Sequence, residues 1–270
     1  RDAMADYDDP SNRPWNSYAG DIKTVVIGNG VTSIGNQAFN GCSGLTSIVI
    51  PASVTSIGDR AFAVCSNLTT VSFAAGSQLT TIGNYAFSEC SGLTSINIPA
   101  GVTSIGEYAF YGCSVLTSVS FADGSLLTTI GNYAFKGCTG LTSIVIPASV
   151  TSIGDGAFIN CSSIATMTVE AGNTNYDSRN SCNAIIEKST NTLIAGCKGT
   201  TIPDGVMSDS LDLSNALAMR QHRCSVLSIT FSISRKSKRI SKIWKSRNLC
   251  CKILLVKLLP LPKCALPGAQ

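Results

Sequence analysis

The chain has 270 residues, of which 44% are hydrophobic and 13% charged, so long disorder over most of its length is excluded. Residues 1–206 hold 8 Lys or Arg and 14 Asp or Glu (net −6), whereas residues 207–270 hold 12 and 2 (net +10), which together give the overall +4. There is no apolar run long enough to cross a bilayer, no initiator Met and no signal peptide. We therefore expect a fragment or a processed product.

Residues 1–21 are polar and irregular. They fit either a linker or, in the preferred interpretation, the remnant of an N-terminal cap, because the end of a repeat array must cover an otherwise exposed core. Trp15 and Tyr18 are the side chains expected to provide that cover.

A repeat of 23 or 25 residues begins at residue 22. Cysteines recur with spacings of 23, 25, 23, 25 and 23, and phenylalanines recur with the same spacings, at Cys42, Cys65, Cys90, Cys113, Cys138 and Cys161, and at Phe39, Phe62, Phe87, Phe110, Phe135 and Phe158. Self-similarity at this period predicts a solenoid in which each coil contacts only its neighbours. The phenylalanines and the cysteines should then form continuous internal columns, with the cysteines as buried thiols rather than disulfides.

Each repeat divides into a strand and a return half. The strands read apolar-x-apolar, as in Ile48 and Ile50, which places these residues inward and the residues between them outward. Some strands end at a proline, whereas those ending at Phe73 and Phe121 lead into loops two residues longer. The return half reads Ile-Gly, then Asn, Asp or Glu, then Ala-Phe, which predicts a tight turn and a short capped helix.

The pattern Cys-x-x-Leu-x-x-Ile-x-Ile-Pro-x-x-Val-x-x-Ile-Gly-x-x-Ala-Phe, satisfied over residues 22–169, resembles the BspA-like (Treponema pallidum-type) leucine-rich repeats. The opening Ala-Met-Ala-Asp-Tyr-Asp with Pro14 and Trp15 resembles the segment that leads into such repeats. The resemblance implies an α/β fold, a right-handed leucine-rich-repeat horseshoe with short helical turns on its convex side. It further implies a non-enzymatic bacterial surface or secreted protein that adheres to extracellular or host-matrix proteins, to glycans or to cells.

The period breaks after residue 169. Two apolar runs around residues 187–191 predict a β-hairpin insertion, and residues 201–206 resume the repeat. Residues 207–270 form a basic, aberrant or disordered tail, and the simultaneous loss of repeat, charge sign and residue usage suggests a reading-frame error. Nucleic-acid or membrane-surface binding by the tail is the less favoured reading, as is a zinc site, for which the possible ligands are His222, Cys224, Cys250, Cys251 and Cys264.

No catalytic, cofactor or metal site is predicted, since His222 is the only histidine. The candidate binding surface is the concave sheet, whose outward residues are Ser47, Val49, Thr70, Ser72, Ser95, Asn97, Ser118, Ser120, Ser143 and Val145. Small hydroxyls suit multivalent adhesion of modest affinity, although the same rows can simply keep a sheet soluble. A second candidate patch lies near the return turns, at Tyr85, Tyr108, Tyr111 and Tyr133.

Three functions remain open from the residues alone. The favoured one is adhesion through the solenoid surface. The first alternative is a structural spacer that carries a binding domain located elsewhere, and the remote alternative is an ice-binding-like hydroxyl surface. Binding to extracellular-matrix proteins separates the first two, and thermal hysteresis tests the third.

Overall fold

A computed structural model describes residues 2–208 as a β-solenoid of about six turns. Each turn contributes one long and one short strand to two six-stranded parallel sheets. The long strands are Ser47–Ile50, Thr70–Phe73, Ser95–Ile98, Ser118–Phe121, Ser143–Ile146 and Thr166–Val169. The short strands are Ser33–Ile34, Ser56–Ile57, Thr81–Ile82, Ser104–Ile105, Thr129–Ile130 and Ser152–Ile153.

The long strands follow the predicted alternation. In Ser47–Ile50 the two isoleucines are buried and the residues between them are exposed, as expected for a strand with one face on a core. The first coil departs from this pattern, because residues 24–27 form no strand and make only a bridge between Thr24 and Ser47. Val26, predicted to point outward, is 95% exposed.

The core contains the predicted internal columns. The six phenylalanine rings are buried and stack from Phe39 to Phe158 with centroids 5.2–5.5 Å apart. The six cysteines that follow them are buried free thiols. From the second coil onward each thiol donates to a phenylalanine carbonyl of the preceding coil, as Cys113 Sγ does to Phe87 O at 3.2 Å. The molecule is therefore a stack of identical layers rather than a globule.

The predicted helical turns are wrong, and the α/β class with them. The return halves are turns, and the described residues contain only three short 3-10 helices, at Pro10–Asn12, Asn16–Tyr18 and Arg179–Ser181. One reason is the left-handed residue that follows each Asn, Asp or Glu, such as Arg60 with φ of 54°. A second is that alternate N–H groups bond to the next coil, as Phe62 N–H does to Ala86 O at 2.8 Å.

The Asn and Asp residues expected to cap helices link coils instead. Asn36 Oδ1 accepts the Asp59 N–H at 2.7 Å, and Asp59 Oδ1 in turn accepts the Asn84 N–H at 2.7 Å. The preceding glycine permits this approach, since a Cβ at Gly83 would lie 2.7 Å from Asp59 Oδ1. These side chains tie each coil to the next.

The N-terminal segment covers the first coil through residues other than those expected in part. Trp15 stacks on Phe39 with centroids 6.1 Å apart and donates to Ala38 O, and the buried Arg13 also donates to Ala38 O. Asp6 Oδ1 accepts the Asn36 N–H at 2.7 Å, which extends the inter-coil ladder by one step. Tyr18 does not contribute the predicted cover, because it is 65% exposed.

The last described part forms a third sheet of four strands, Tyr176–Asp177, Ala184–Glu187, Thr192–Gly196 and Met207–Ser208. The two central strands pair antiparallel as a hairpin. Met207–Ser208 pairs parallel with the second of them, two residues beyond the boundary expected at residue 206. The predictions made for the basic tail from residue 209 onward, including His222 and Cys224, lie outside the described residues.

Candidate functional site

The exposed side of the long-strand sheet carries all ten residues predicted for the binding surface, and we call it the long-strand face. Each of the ten is exposed. They lie in two rows that run across the coils, in which Ser47 is in register with Thr70, and Asn97 with Ser120. The sequence prediction therefore identified one continuous surface, although its role in binding stays a prediction.

The long-strand face is uncharged and made of short polar side chains with two valines. Only a few of its polar side chains bond to other protein groups: Ser72 Oγ donates to Ile48 O at 3.4 Å, and Ser120 Oγ donates to Asn97 Oδ1 at 3.0 Å. Val49 and Val145 are 59% and 45% exposed. Such a face offers hydrogen-bond donors and acceptors together with small apolar areas, and no charge for a ligand to neutralise.

The long-strand sheet is not uniformly paired, a feature that sequence reasoning missed. Strands Ser47–Ile50 and Thr70–Phe73 pair at all four positions, and so do Ser95–Ile98 and Ser118–Phe121. Between Thr70–Phe73 and Ser95–Ile98 only Thr70 and Ser95 are in register, and the strands are unpaired beyond them. We call this gap the open seam. A second gap of the same kind follows Ser118–Phe121.

The open seam arises where the coil has 25 residues. The last strand position holds isoleucine in the 23-residue coils, and Ile50, Ile98 and Ile146 are fully buried. In the 25-residue coils it holds Phe73 or Phe121, which are only partly buried against the core. The larger ring and the longer loop after it separate the strand end from its neighbour. Spacing and ring size were the available signals, but neither by itself predicts lost pairing.

The open seam forms a cavity of about 530 Å³. Its lining contains no charged residue and consists of strand residues, the long loop and the following Pro-Ala-Gly, with polar groups from Thr70, Ser72, Ser77, Ser95 and Asn97. The long-strand face thus contains one recess of ligand size in an otherwise flat surface.

The tyrosine patch has a different character. Tyr85, Tyr108 and Tyr133 stack on one another with centroids 4.8 and 4.9 Å apart. Arg60 lies over the outer face of Tyr85 at 4.5 Å, and Lys136 lies 5.0 Å from the centre of Tyr133. Because neighbouring side chains cover the ring faces, this ladder presents mainly ring edges and hydroxyls to solvent.

The described residues show no chemistry typical of an enzyme. Burial raises the pKa of the Cys113 thiol to about 12 and that of Cys42 to about 11, so these thiols are protonated and not nucleophilic at neutral pH. Within residues 2–208 no group of His, Cys, Asp and Glu is arranged to hold a metal ion. The same residues contain no helix with the length and apolar character of a membrane span.

The sequence matches the BspA-type leucine-rich repeat region, in six copies, over residues 16–126 and 80–210. The chain belongs to this family. Among curated proteins the BspA-type chain has no significant match. The family assignment confirms the resemblance drawn from the Cys, Ile-Gly and Ala-Phe positions.

Solved structures of other leucine-rich repeat proteins resemble the chain. The pneumococcal vaccine antigen PcpA matches with a TM-score of 0.56 and 29% identity, over 63% of this chain and 46% of that one. A leucine-rich repeat protein from Eubacterium ventriosum matches with a TM-score of 0.48 and 28% identity, over 74% and 47% of the two chains. A leucine-rich cell surface protein from Faecalibacterium prausnitzii has a TM-score of 0.46 and 34% identity, over 61% and 49%. The matches thus span about half the length of these relatives.

Proposed function

We propose that this BspA-type chain is a non-enzymatic recognition protein of a bacterial surface or secretion, which binds an extracellular protein or glycan through the long-strand face. The observation that carries the proposal is the division of labour within each coil. The inward side chains supply the stacked core, whereas the ten residues of the face are all exposed and uncharged. A surface that the fold does not need for its core is free to bind a partner.

The relatives support the location of this activity. PcpA is a vaccine antigen, and a useful antigen must be accessible to antibodies at or outside the cell. Repetition supports the mode of binding, because equivalent groups on successive coils, about 4.8 Å apart, give many weak contacts to an extended partner. Linked weak contacts raise avidity without requiring the Trp, Tyr and Arg anchors of tight interfaces.

Surface plasmon resonance with the full 270-residue chain tests the proposal. Extracellular-matrix proteins and a mucin glycoprotein are immobilised, and binding is compared with that of a double variant, Ser118→Arg with Ser143→Arg, which adds bulk and charge at the centre of the face. Ser114→Arg is the matched control, since Ser114 is also exposed but lies outside the long strands.

We expect saturable binding that the double variant weakens at least about tenfold and the control leaves unchanged. The same loss in the control would show that the face is not the binding surface. The absence of binding to every immobilised partner would favour the alternative in which the coils act as a spacer.

A further inference from the structure

We propose that the open seam is a binding site for a neutral sugar residue of a glycan. The inference deepens the proposed function and rests on it, since the seam lies within the long-strand face. The geometry points to this ligand class through three properties of the seam: unpaired backbone groups, a lining without charge, and a closed floor.

The unpaired groups follow from the direction of the backbone bonds around the seam. Ala74 N–H donates to Ile50 O at 2.9 Å, toward the preceding coil, and Ala122 N–H donates to Ile98 O at 2.9 Å, so Ile98 faces the following coil. Peptide groups of successive residues point to opposite sides of a strand. The N–H of Phe73 and the N–H and C=O of Asn97 therefore point into the open seam.

These groups have no strand partner within the described residues, because Thr70 and Ser95 are the last pair in register. Backbone donors and acceptors removed from water without a partner are costly, so they must bond to solvent or to a ligand. Pro99, which follows the second strand, has no N–H and cannot resume the ladder. The seam is thus held open by its own sequence.

The side chains of the lining suit a polyhydroxylated ligand. Hydroxyls of Ser72, Ser77 and Ser95 can both donate and accept, and the Asn97 amide adds two donors and an acceptor. Phe73, partly buried, adds aromatic surface, whose negative face attracts weakly positive C–H groups. With no charged lining residue, nothing in the cavity would offset the desolvation of an ionised ligand.

An inserted peptide strand fits the same opening less well. Side chains of a strand alternate between the two faces of a sheet, so an inserted strand would direct every second side chain into the core. The core under the seam is already closed, because Leu79, Leu93 and Ile98 are fully buried. A sugar ring needs no such inward space and can bond in the recess from the outer side.

The test uses the full chain, with maltotriose and chitotriose as neutral saccharide probes and an acetylated Thr-Val-Thr-Val-Thr amide as the extended peptide probe. Binding is measured by saturation-transfer NMR and calorimetry. In the seam-closing variant, residues 73–79 (FAAGSQL) are replaced by the IPASV of residues 50–54, which restores the 23-residue coil. Circular dichroism and thermal melting show that this variant folds.

Two point variants give a check that does not alter loop length. Asn97→Val removes the amide and is compatible with the fold, because valine occupies the equivalent positions 49 and 145. Ser47→Val is the matched control, on a strand that pairs at all four positions. We expect at least one saccharide to bind, about tenfold or more weakly in the seam-closing and Asn97→Val variants, and unchanged in Ser47→Val.

The inference is overturned if neither saccharide binds at millimolar concentration, if the seam-closing variant binds equally well, or if only the peptide binds and does so at the seam. These outcomes separate the inference from the proposed function. If the immobilised proteins bind the face while the saccharides do not, recognition by the face stands and its assignment to a sugar in the seam fails.

Discussion

Removal of one ring from the phenylalanine column tests the stacked core directly. Phe87 is fully buried, with its ring centre 5.3 Å from that of Phe62 and 5.4 Å from that of Phe110. Truncation of a buried Phe to Ala costs about 3–5 kcal/mol, and each aromatic stack adds about 0.5–1.5 kcal/mol. With two stacks broken, we expect Phe87→Ala to lower the free energy of unfolding by about 4–5 kcal/mol.

Phe73→Ala provides the matched control, because it deletes the same atoms at a site that is only partly buried and outside the column. Full burial of a Phe side chain contributes about 1.5–3 kcal/mol, so this change should cost about 1–2 kcal/mol. Urea unfolding followed by circular dichroism gives both values. Hydrogen exchange shows whether the loss is local to the altered coil and its neighbours, as expected for a one-dimensional array. Equal costs for the two variants would refute the column as the main source of stability.

Three further changes probe other parts of the coil. Since burial raises the pKa of the Cys113 thiol to about 12 from its ordinary value near 9, the stability that this thiol contributes is present below pH 9 and lost as the pH rises toward 12; thermal melts across this range should fall, and Ellman's reagent should label the inward thiols only after denaturation. Gly83→Ala, which forces a Cβ against the Asp59 side chain, should lower the melting temperature sharply, whereas Gly28→Ala, with no atom within 4 Å, should leave it within about 0.5 kcal/mol of the parent. Glu107→Asn should stabilise by about 0.5–1.5 kcal/mol in urea titration, because the Glu107 side chain makes no ladder bond within the described residues, and Asn there can accept the backbone N–H of the next coil.

The sequence was sufficient to predict the layers of the solenoid, because the recurrence of one residue type at one period leaves few arrangements that bury it. Phe39 through Phe158 and the six thiols formed internal columns for this reason. The hairpin around residues 187–191 was also visible, as two apolar runs flank a polar turn. The ten residues of the long-strand face were found by simple alternation along each strand.

Helices were predicted wrongly because local propensity was read without the neighbouring coil. A Gly-Asn or Gly-Asp pair before Ala-Phe fits a capped helix in isolation. In the stack, the Asn36 side chain and alternate N–H groups such as that of Phe62 bond to the next coil, and this satisfies the donors that a helix would otherwise satisfy internally. The competing interaction exists only when an identical segment lies alongside, so a single repeat does not reveal it.

The open seam shows the corresponding limit for the binding surface. Period-two alternation treats Phe73 and Ile50 as the same inward position, although one is partly buried and the other fully buried. Whether a strand pairs with its neighbour depends on the fit of both ends between two coils, and the ring size and loop length that spoil this fit belong to one coil only. Where successive coils are identical the sheet is continuous, so recesses form only where the repeat is imperfect. In a solenoid built of nearly identical coils, irregularities of this kind are therefore the positions at which one site can differ from all the others, and specificity for a ligand can reside there while the regular coils supply avidity.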